Sequence, residues 1–209
     1  AGEISADSAR PAYDAIVRAL EDARRARVAA IATAPVNKEA FAAAGLKWRG
    51  HTDLLAHLCG VDDVAMLFWS DRLRVVLATV HIPLADVPRA LTGERLLAVI
   101  RLTARSLPRF GITAPRLAVA GLNPHAGENG VLGREDRDVL GPAVATARSG
   151  GIDVLGPLPA DTVFLRAARG EFDVVIAAYH DQGLVPVKLL AFGRAVNVTI
   201  GLPIIRTSV

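Results

Sequence analysis

A single cysteine, Cys59, stands among 209 residues. One thiol excludes a disulfide framework and any zinc site built on several cysteines, and it suits a reducing compartment. A metal would have to rest on histidine or carboxylate. An excess of one charge is also missing: 24 Lys and Arg stand against 21 Asp and Glu, a formal net charge of +3. The excess is scattered, with only Arg24-Arg25 adjacent in the densest basic stretch, which argues against a nucleic-acid surface. No apolar run approaches the roughly 20 residues of a membrane span, and residues 1–10 carry no apolar leader core, so a cytoplasmic protein with no membrane partner is expected. Neither G-x-G-x-x-G after a strand nor G-x-x-x-x-G-K-[ST] occurs, which excludes the classical dinucleotide fingerprint and the P-loop. There is no internal repeat and no low-complexity tract.

What is present is apolar and ordered. The hydrophobic fraction of 52% is ample for a buried core. Runs RVVLAT (Arg74 to Thr79), RLAVAG (Arg116 to Gly121) and DVVIAA (Asp173 to Ala178) are apolar and rich in β-branched residues. Val28 to Thr33 and Ala195 to Ile200 are of the same kind, and the chain ends on an apolar, strand-like run from Ile204. Runs apolar at successive positions predict strands covered on both faces. Helical spacing falls between them, over Ser8 to Arg27 with Ser5 or Ser8 as cap, Thr52 to Cys59, Thr92 to Leu107, and Arg134 to Arg148. The alternation predicts an α/β fold with a parallel or mixed sheet.

Three of the five histidines share one context. His81 follows RVVLATV, His125 follows RLAVAGLNP, and His180 follows DVVIAAY. Each falls at the carboxyl end of an expected buried strand, the edge at which open α/β sheets place their ligand crevice. Any one of them alone would serve as a loop hydrogen-bonding residue; as a set they can hold a divalent metal and leave other positions open. Asp181 and Gln182 beside His180, Asn123 and Glu128 beside His125, and Asp86 near His81 are candidates to orient the rings, with Asp86 equally a solvated loop acid. His57, within a helical pattern, reads as structural.

A second group reads as an anion site. Gly50-His51-Thr52 opens an expected helix, whose free amides and positive dipole end attract phosphate or carboxylate. Lys188, Asn197 and Arg206 recur at nine-residue intervals in apolar surroundings, where an unpaired charge is costly. An anionic ligand and an internal salt bridge are alternative partners for each cation, and the same two readings apply to Lys38.

The segments APVNK (Ala34 to Lys38), GHTD (Gly50 to Asp53), HIPL (His81 to Leu84), GLNPHAGE (Gly121 to Glu128), LGRED (Leu132 to Asp136), GPLPADT (Gly156 to Thr162), YHDQG (Tyr179 to Gly183) and FGRAVNVTIGLPIIRTSV (Phe192 to Val209) closely resemble the 4-hydroxythreonine-4-phosphate dehydrogenase family. The resemblance runs through nearly the whole chain in order. It implies two α/β lobes similar to those of isocitrate and isopropylmalate dehydrogenases, with the active site in the cleft between them. Residues 1–49 and 191–209 would belong to the first lobe and 50–190 to the second. The resemblance further implies a homodimer whose active site draws on both subunits.

Carried over by motif, His81, His125 and His180 resemble the metal ligands, zinc first and magnesium or cobalt as alternatives. His51, Thr52, Lys188, Asn197 and Arg206 resemble substrate-binding residues, and the candidates to take the alcohol proton are, in order, Lys188, a metal-bound hydroxide and Asp181. The implied reaction is metal-dependent oxidation of 4-phosphooxy-L-threonine by NAD or NADP to a 2-amino-3-oxo acid that loses carbon dioxide. The alternative keeps the chemistry and changes the substrate, to 4-phosphoerythronate, a phosphothreonate stereoisomer or an aromatic cis-dihydrodiol. Family members extend beyond both ends of this chain, and a loop corresponding to the cofactor-holding one of the related dehydrogenases would follow residue 209, so no cofactor-binding residue is assigned.

Overall fold

Val75 to Leu77, Leu117 to Ala120 and Val174 to Ala177 are buried at every position. Strands without a polar face form only where helices cover the sheet on both sides. The computed structural model describes residues 6–48 and 50–208. In chain order it contains α1 (Ala6–Arg24), β1 (Ile31–Thr33), α2 (Lys38–Ala43), α3 (His51–Cys59), β2 (Ala65–Trp69) and β3 (Val75–Leu77). There follow α4 (Val87–Ala90), α5 (Gly93–Ser106), β4 (Leu117–Ala120), α6 (Gly141–Ser149) and β5 (Val154–Leu158). The last elements are α7 (Ala160–Ala168), β6 (Val174–Ala177), α8 (His180–Ala191), β7 (Val196–Ile200) and β8 (Arg206–Ser208). Ser5, one expected cap of α1, lies outside the described residues; Ser8, the other, lies inside the helix. Among the described residues no helix is long and apolar enough to cross a membrane.

The chain divides into two compact units, one of residues up to Val64 together with those from Val196 onward, the other Ala65–Ala195. In the first, β8 pairs parallel with β1, setting Arg206 opposite Ile31, and antiparallel with β7, setting Thr207 opposite Val198. Its core joins Leu20 of α1, Phe41 of α2, and Leu54 and Leu55 of α3. Tyr13 stacks on Trp48 with ring centroids 5.8 Å apart at its margin. The boundary therefore falls some fifteen residues beyond the expected one at about position 50. The reason is the amphipathic face of α3: Leu54 and Leu55, completely buried, pack with the first unit, and they carry His51 and Thr52 with them.

In the second unit the strand order is β2-β3-β6-β4-β5. β2 runs antiparallel to β3, while β3, β6, β4 and β5 are mutually parallel. Thr92 caps α5, its hydroxyl accepting from the Arg95 amide at 3.1 Å, as the sequence pattern predicts. Helix α8 lies unusually close to the sheet at Gly183, where a Cβ would come within 2.7 Å of Leu77 Cδ2 and 2.8 Å of Val75 Cγ1. Parallel β3, β6 and β4 point their carboxyl ends at one edge, so the segments bearing His81, His180 and His125 all leave from that edge.

Candidate active site

His180 is the first residue of α8, directly after β6. Its Nδ1 lies 2.6 Å from Asp181 Oδ1, so the nitrogen left for a ligand is Nε2. A carboxylate on the far nitrogen fixes the tautomer and raises the basicity of the other. His81, four residues after β3 and at φ 52, places its ring centroid 5.5 Å from that of His180. The two rings, with Ile82, Leu84, Val87, Tyr179 and Asp181, line a cavity of about 270 Å³. Its apolar walls lower the local dielectric around a few polar groups, as in binding sites generally. Thr79, buried, donates its hydroxyl to the Ala178 carbonyl at 2.7 Å, tying the β3 exit to the β6 exit between the two histidines. Asp86 pairs with Arg89 at 3.0 Å, the solvated-acid alternative.

The third histidine stands differently. His125 is exposed and begins a stretch of six successive residues with positive φ, His125 to Gly130, at 53°, 53°, 76°, 42°, 56° and 99°. Four of them carry side chains, for which the left-handed region costs about 1–2 kcal/mol per residue, so surrounding contacts must impose this turn. Among the described residues no three His, Cys, Asp or Glu side chains form a metal-holding group. The structure thus brings His81 and His180 together and leaves His125 outside the pair. Two imidazoles, one with its second nitrogen braced by a carboxylate, are a donor set that fits a borderline-soft divalent ion such as zinc; within this chain the set is two-membered.

Other expected partners are used elsewhere. Asn123 donates to Glu135 Oε2 at 2.8 Å and to Asp136 Oδ2 at 2.9 Å. Glu135 is held below the usual carboxylate range by its own backbone amide and by that Asn123 contact. Gln182 spends its amide on backbone, accepting from Ala178 N–H at 2.6 Å and donating to the Gly121 carbonyl at 2.7 Å. Asp136, which the motif LGRED contains but nothing in the composition singles out, is 1% exposed and receives three hydrogen bonds, from the amides of Leu122 and Asn123 and the side chain of Asn123. Lys188 is exposed on α8 and does not line the cavity. Its apolar neighbours in sequence, Leu189 and Leu190, are exposed too, so the expected penalty for an unpaired charge does not arise there.

In the first unit Arg206 behaves as the sequence predicts for a cation in apolar surroundings. It is 4% exposed, and its Nη1 and Nη2 donate to Thr199 Oγ1 at 3.0 Å and Thr33 Oγ1 at 2.7 Å. It pairs with no carboxylate among the described residues, and its buried Nε has no partner. Burial pushes its pKa down, yet a guanidinium keeps its proton. Asn197, on β7, has a buried Oδ1 that is also without a partner. His51 opens α3, where the first-turn amides have no intrahelical acceptor. Burial first, and then the Arg206 charge, lower its pKa. Thr52, half-buried, follows on the same first turn. Arg206, a buried positive charge, and the α3 N-terminus lie in one unit and are both groups that attract an anion, whereas the orphaned Asn197 Oδ1 is an acceptor and calls for a donor. Lys38 is exposed at the start of α2.

The model of the family described as "Pyridoxal phosphate biosynthetic protein PdxA" matches residues 1–209. A 4-hydroxythreonine-4-phosphate dehydrogenase of Beijerinckia indica is 50% identical over 99% of this chain and 61% of its own length. A D-threonate 4-phosphate dehydrogenase of Salmonella typhimurium is 50% identical over 100% of this chain and 64% of its own length. The crystal structure of 4-hydroxythreonine-4-phosphate dehydrogenase from Klebsiella pneumoniae superposes with a TM-score of 0.95 at 49% identity, covering 99% of this chain and 62% of that one. The chain therefore spans somewhat under two thirds of the length of these relatives. On the match along its entire length, the chain belongs to the PdxA family of pyridoxal phosphate biosynthetic proteins.

Proposed function

We propose that the protein to which this chain belongs is an NAD- or NADP-dependent, metal-requiring dehydrogenase that oxidises the secondary alcohol of 4-phosphooxy-L-threonine to 2-amino-3-oxo-4-phosphooxybutanoate, which then loses carbon dioxide. The two compact units would be its two lobes, akin to those of isocitrate and isopropylmalate dehydrogenases. The observation that carries the phosphorylated-substrate reading is Arg206, a buried guanidinium with no carboxylate partner among the described residues, beside a His51 whose pKa burial and that charge lower. Such a cation is costly without an anion, and a phosphate supplies one. His51 and Thr52 at the α3 N-terminus would donate neutral hydrogen bonds to it, and the buried, unpartnered Oδ1 of Asn197, an acceptor, would take a donor group of the substrate.

The reacting hydroxyl belongs with His81 and His180. A divalent ion, zinc by preference, would supply Lewis acidity toward that hydroxyl, while a nicotinamide accepts the hydride. His81 and His180 would orient the oxygen, Asp181 would hold His180 in one tautomer, and the apolar walls Ile82, Leu84 and Val87 would exclude water. Asp181, which lines this cavity, would take the alcohol proton on the carboxylate oxygen not bonded to His180; Lys188, about two turns further along α8, and a metal-bound hydroxide are the alternative acceptors. Since only two histidines are paired in one chain, we propose that the site is completed by a second copy, in a homodimer.

The same phosphate receptor suits D-threonate 4-phosphate, the substrate in the name of the Salmonella relative. NAD(P)H formation by the full-length protein, followed with added zinc, magnesium or cobalt, separates the readings. Reduction with 4-phosphooxy-L-threonine is expected. Preference for 4-phosphoerythronate or D-threonate 4-phosphate would reassign the substrate, turnover of a cis-dihydrodiol would remove the phosphate reading, and no reduction with any would defeat the dehydrogenase reading.

A further inference from the structure

We infer that Thr79 and Arg95 are positioning residues that hold the exit of β3, and with it His81, against the exit of β6 that bears His180; this rests on the reading of His81 and His180 as metal donors. The two rings stand 5.5 Å apart, centroid to centroid, although each lies past the end of the strand ladder that joins their segments. Register between β3 and β6 runs from Val75 opposite Val175 to Leu77 opposite Ala177, and the Ala78 amide adds one bond to the Ala177 carbonyl at 2.9 Å. Beyond it the chain bends, and His81 takes up a left-handed φ of 52°, a conformation that the surroundings must impose on a residue with a side chain.

The hydroxyl of buried Thr79 donates to the Ala178 carbonyl at 2.7 Å, so a side chain supplies the next rung where the backbone ladder stops. Thr79 lies two residues before His81 and Ala178 two residues before His180. One bond therefore ties the two histidine-bearing segments at the same remove from each ring. Arg95, on the first turn of α5, donates its Nε to the Ala78 carbonyl at 3.0 Å, three residues before His81. Ala78 and Ala178 are both buried, so water is a poor substitute donor for either carbonyl.

The β6 side of this junction is held independently. The Ala178 amide donates to Gln182 Oε1 at 2.6 Å, and His180 is braced by Asp181. What remains to be fixed is the β3 side, and Thr79 and Arg95 are the side chains that hold it. Neither lines the cavity, so their role is to set the separation of two donors rather than to touch a ligand. Donors already held in place need no ordering when an ion binds, which favours affinity.

Cobalt(II) titration of the full-length protein tests this, with affinity and the visible ligand-field spectrum read well below each variant's Tm. Thr79→Val keeps the shape and removes the hydroxyl, Thr79→Ser keeps the hydroxyl, and Arg95→Met removes the donor to Ala78. Thr79→Val and Arg95→Met are each expected to weaken cobalt binding about 10-fold and to change the spectrum, while Thr79→Ser retains wild-type affinity and spectrum. His81→Ala, the control for the metal reading, is expected to lose more than either. If Thr79→Val or Arg95→Met lowers Tm but binds cobalt as the wild type does, while His81→Ala loses it, the replaced residue is structural only and the inference is overturned for it with the metal reading intact. A loss in Thr79→Ser equal to that in Thr79→Val would place the effect in packing and overturn the role of the hydroxyl. If His81→Ala keeps wild-type affinity and spectrum, the metal reading of His81 fails, and the inference with it. Should Thr79→Val not fold, Arg95→Met, at a half-buried side chain, decides alone.

Discussion

Arg206 shows how one side chain takes its meaning from its surroundings. On a surface it would be one of 24 basic residues; in β8 it is a charge held by two threonine hydroxyls with its Nε unsatisfied. Replacing it with methionine removes a buried charge along with the ligand contact. Arg206→Met is therefore expected to leave Tm unchanged or higher while weakening inorganic phosphate binding to the full-length protein about 10–100-fold, the loss of a charge-assisted hydrogen bond. Calorimetric titration and a thermal melt read the two together; a lower Tm with unchanged phosphate affinity would make Arg206 a structural residue. His51 carries a pH signature. Its folded pKa lies below the ordinary 6.5 because of burial and then Arg206, so on acidification the unfolded chain takes up the proton first. The stability that neutral His51 confers is whole above about 6.5 and is lost as pH falls through the lower folded value. The expected result is that His51→Gln flattens the acid side of a urea-stability profile below that pH; an unaltered profile would contradict the assignment.

Helix α8 is the element on which the second unit's site depends most. It carries His180 and Asp181 at its start, and Gly183 on its first turn lets it approach β3. Gly183→Ala would drive a methyl group into Leu77 and Val75, with an expected cost of about 1–3 kcal/mol in urea denaturation and a displaced His180. An unaffected denaturation midpoint would mean that the helix can shift freely. Sequence patterning does not find this helix: Gly183 and Pro186 both read as breakers. Pro186 removes one hydrogen bond, and burial of Leu184, Val187 and Ala191 against the sheet outweighs it. Strand β5 is hidden for a related reason, since it contains Gly156-Pro157. By contrast β3, β4 and β6 are legible, because uninterrupted apolar β-branched runs have few alternatives to a doubly covered strand. The cap and apolar face of α5 are legible as well, since both rest on contacts within one helix.

Among the described residues, an apolar stretch at the end of α8 is left uncovered. Val185 is 64% exposed, Leu189 82% and Phe192 80%, at and just after the carboxyl half of the helix whose first residue is His180. An apolar set of this kind is usual at subunit contacts, in keeping with the proposed dimer. Sedimentation equilibrium of the full-length protein is expected to give a dimer, and Leu189→Asp to shift it toward monomer and lower the zinc bound per chain. A monomeric wild type with full zinc content would place all the ligands in one chain.

The amino-acid sequence alone determined the α/β class, the three histidines following strand exits and, through its motifs, the family. These follow from local patterning, which short-range sterics and periodic burial make readable. It did not determine that α3 packs with the first unit, that Lys188 is exposed while Arg206 is buried, or that the amides of Asn123 and Gln182 are spent on the backbone and its supporting acids. Nor did it single out Asp136 behind a left-handed turn. Those depend on which surfaces meet after the strands have paired, and hydrogen bonds between residues fourteen or sixty-one positions apart leave no periodic trace in a chain read from end to end.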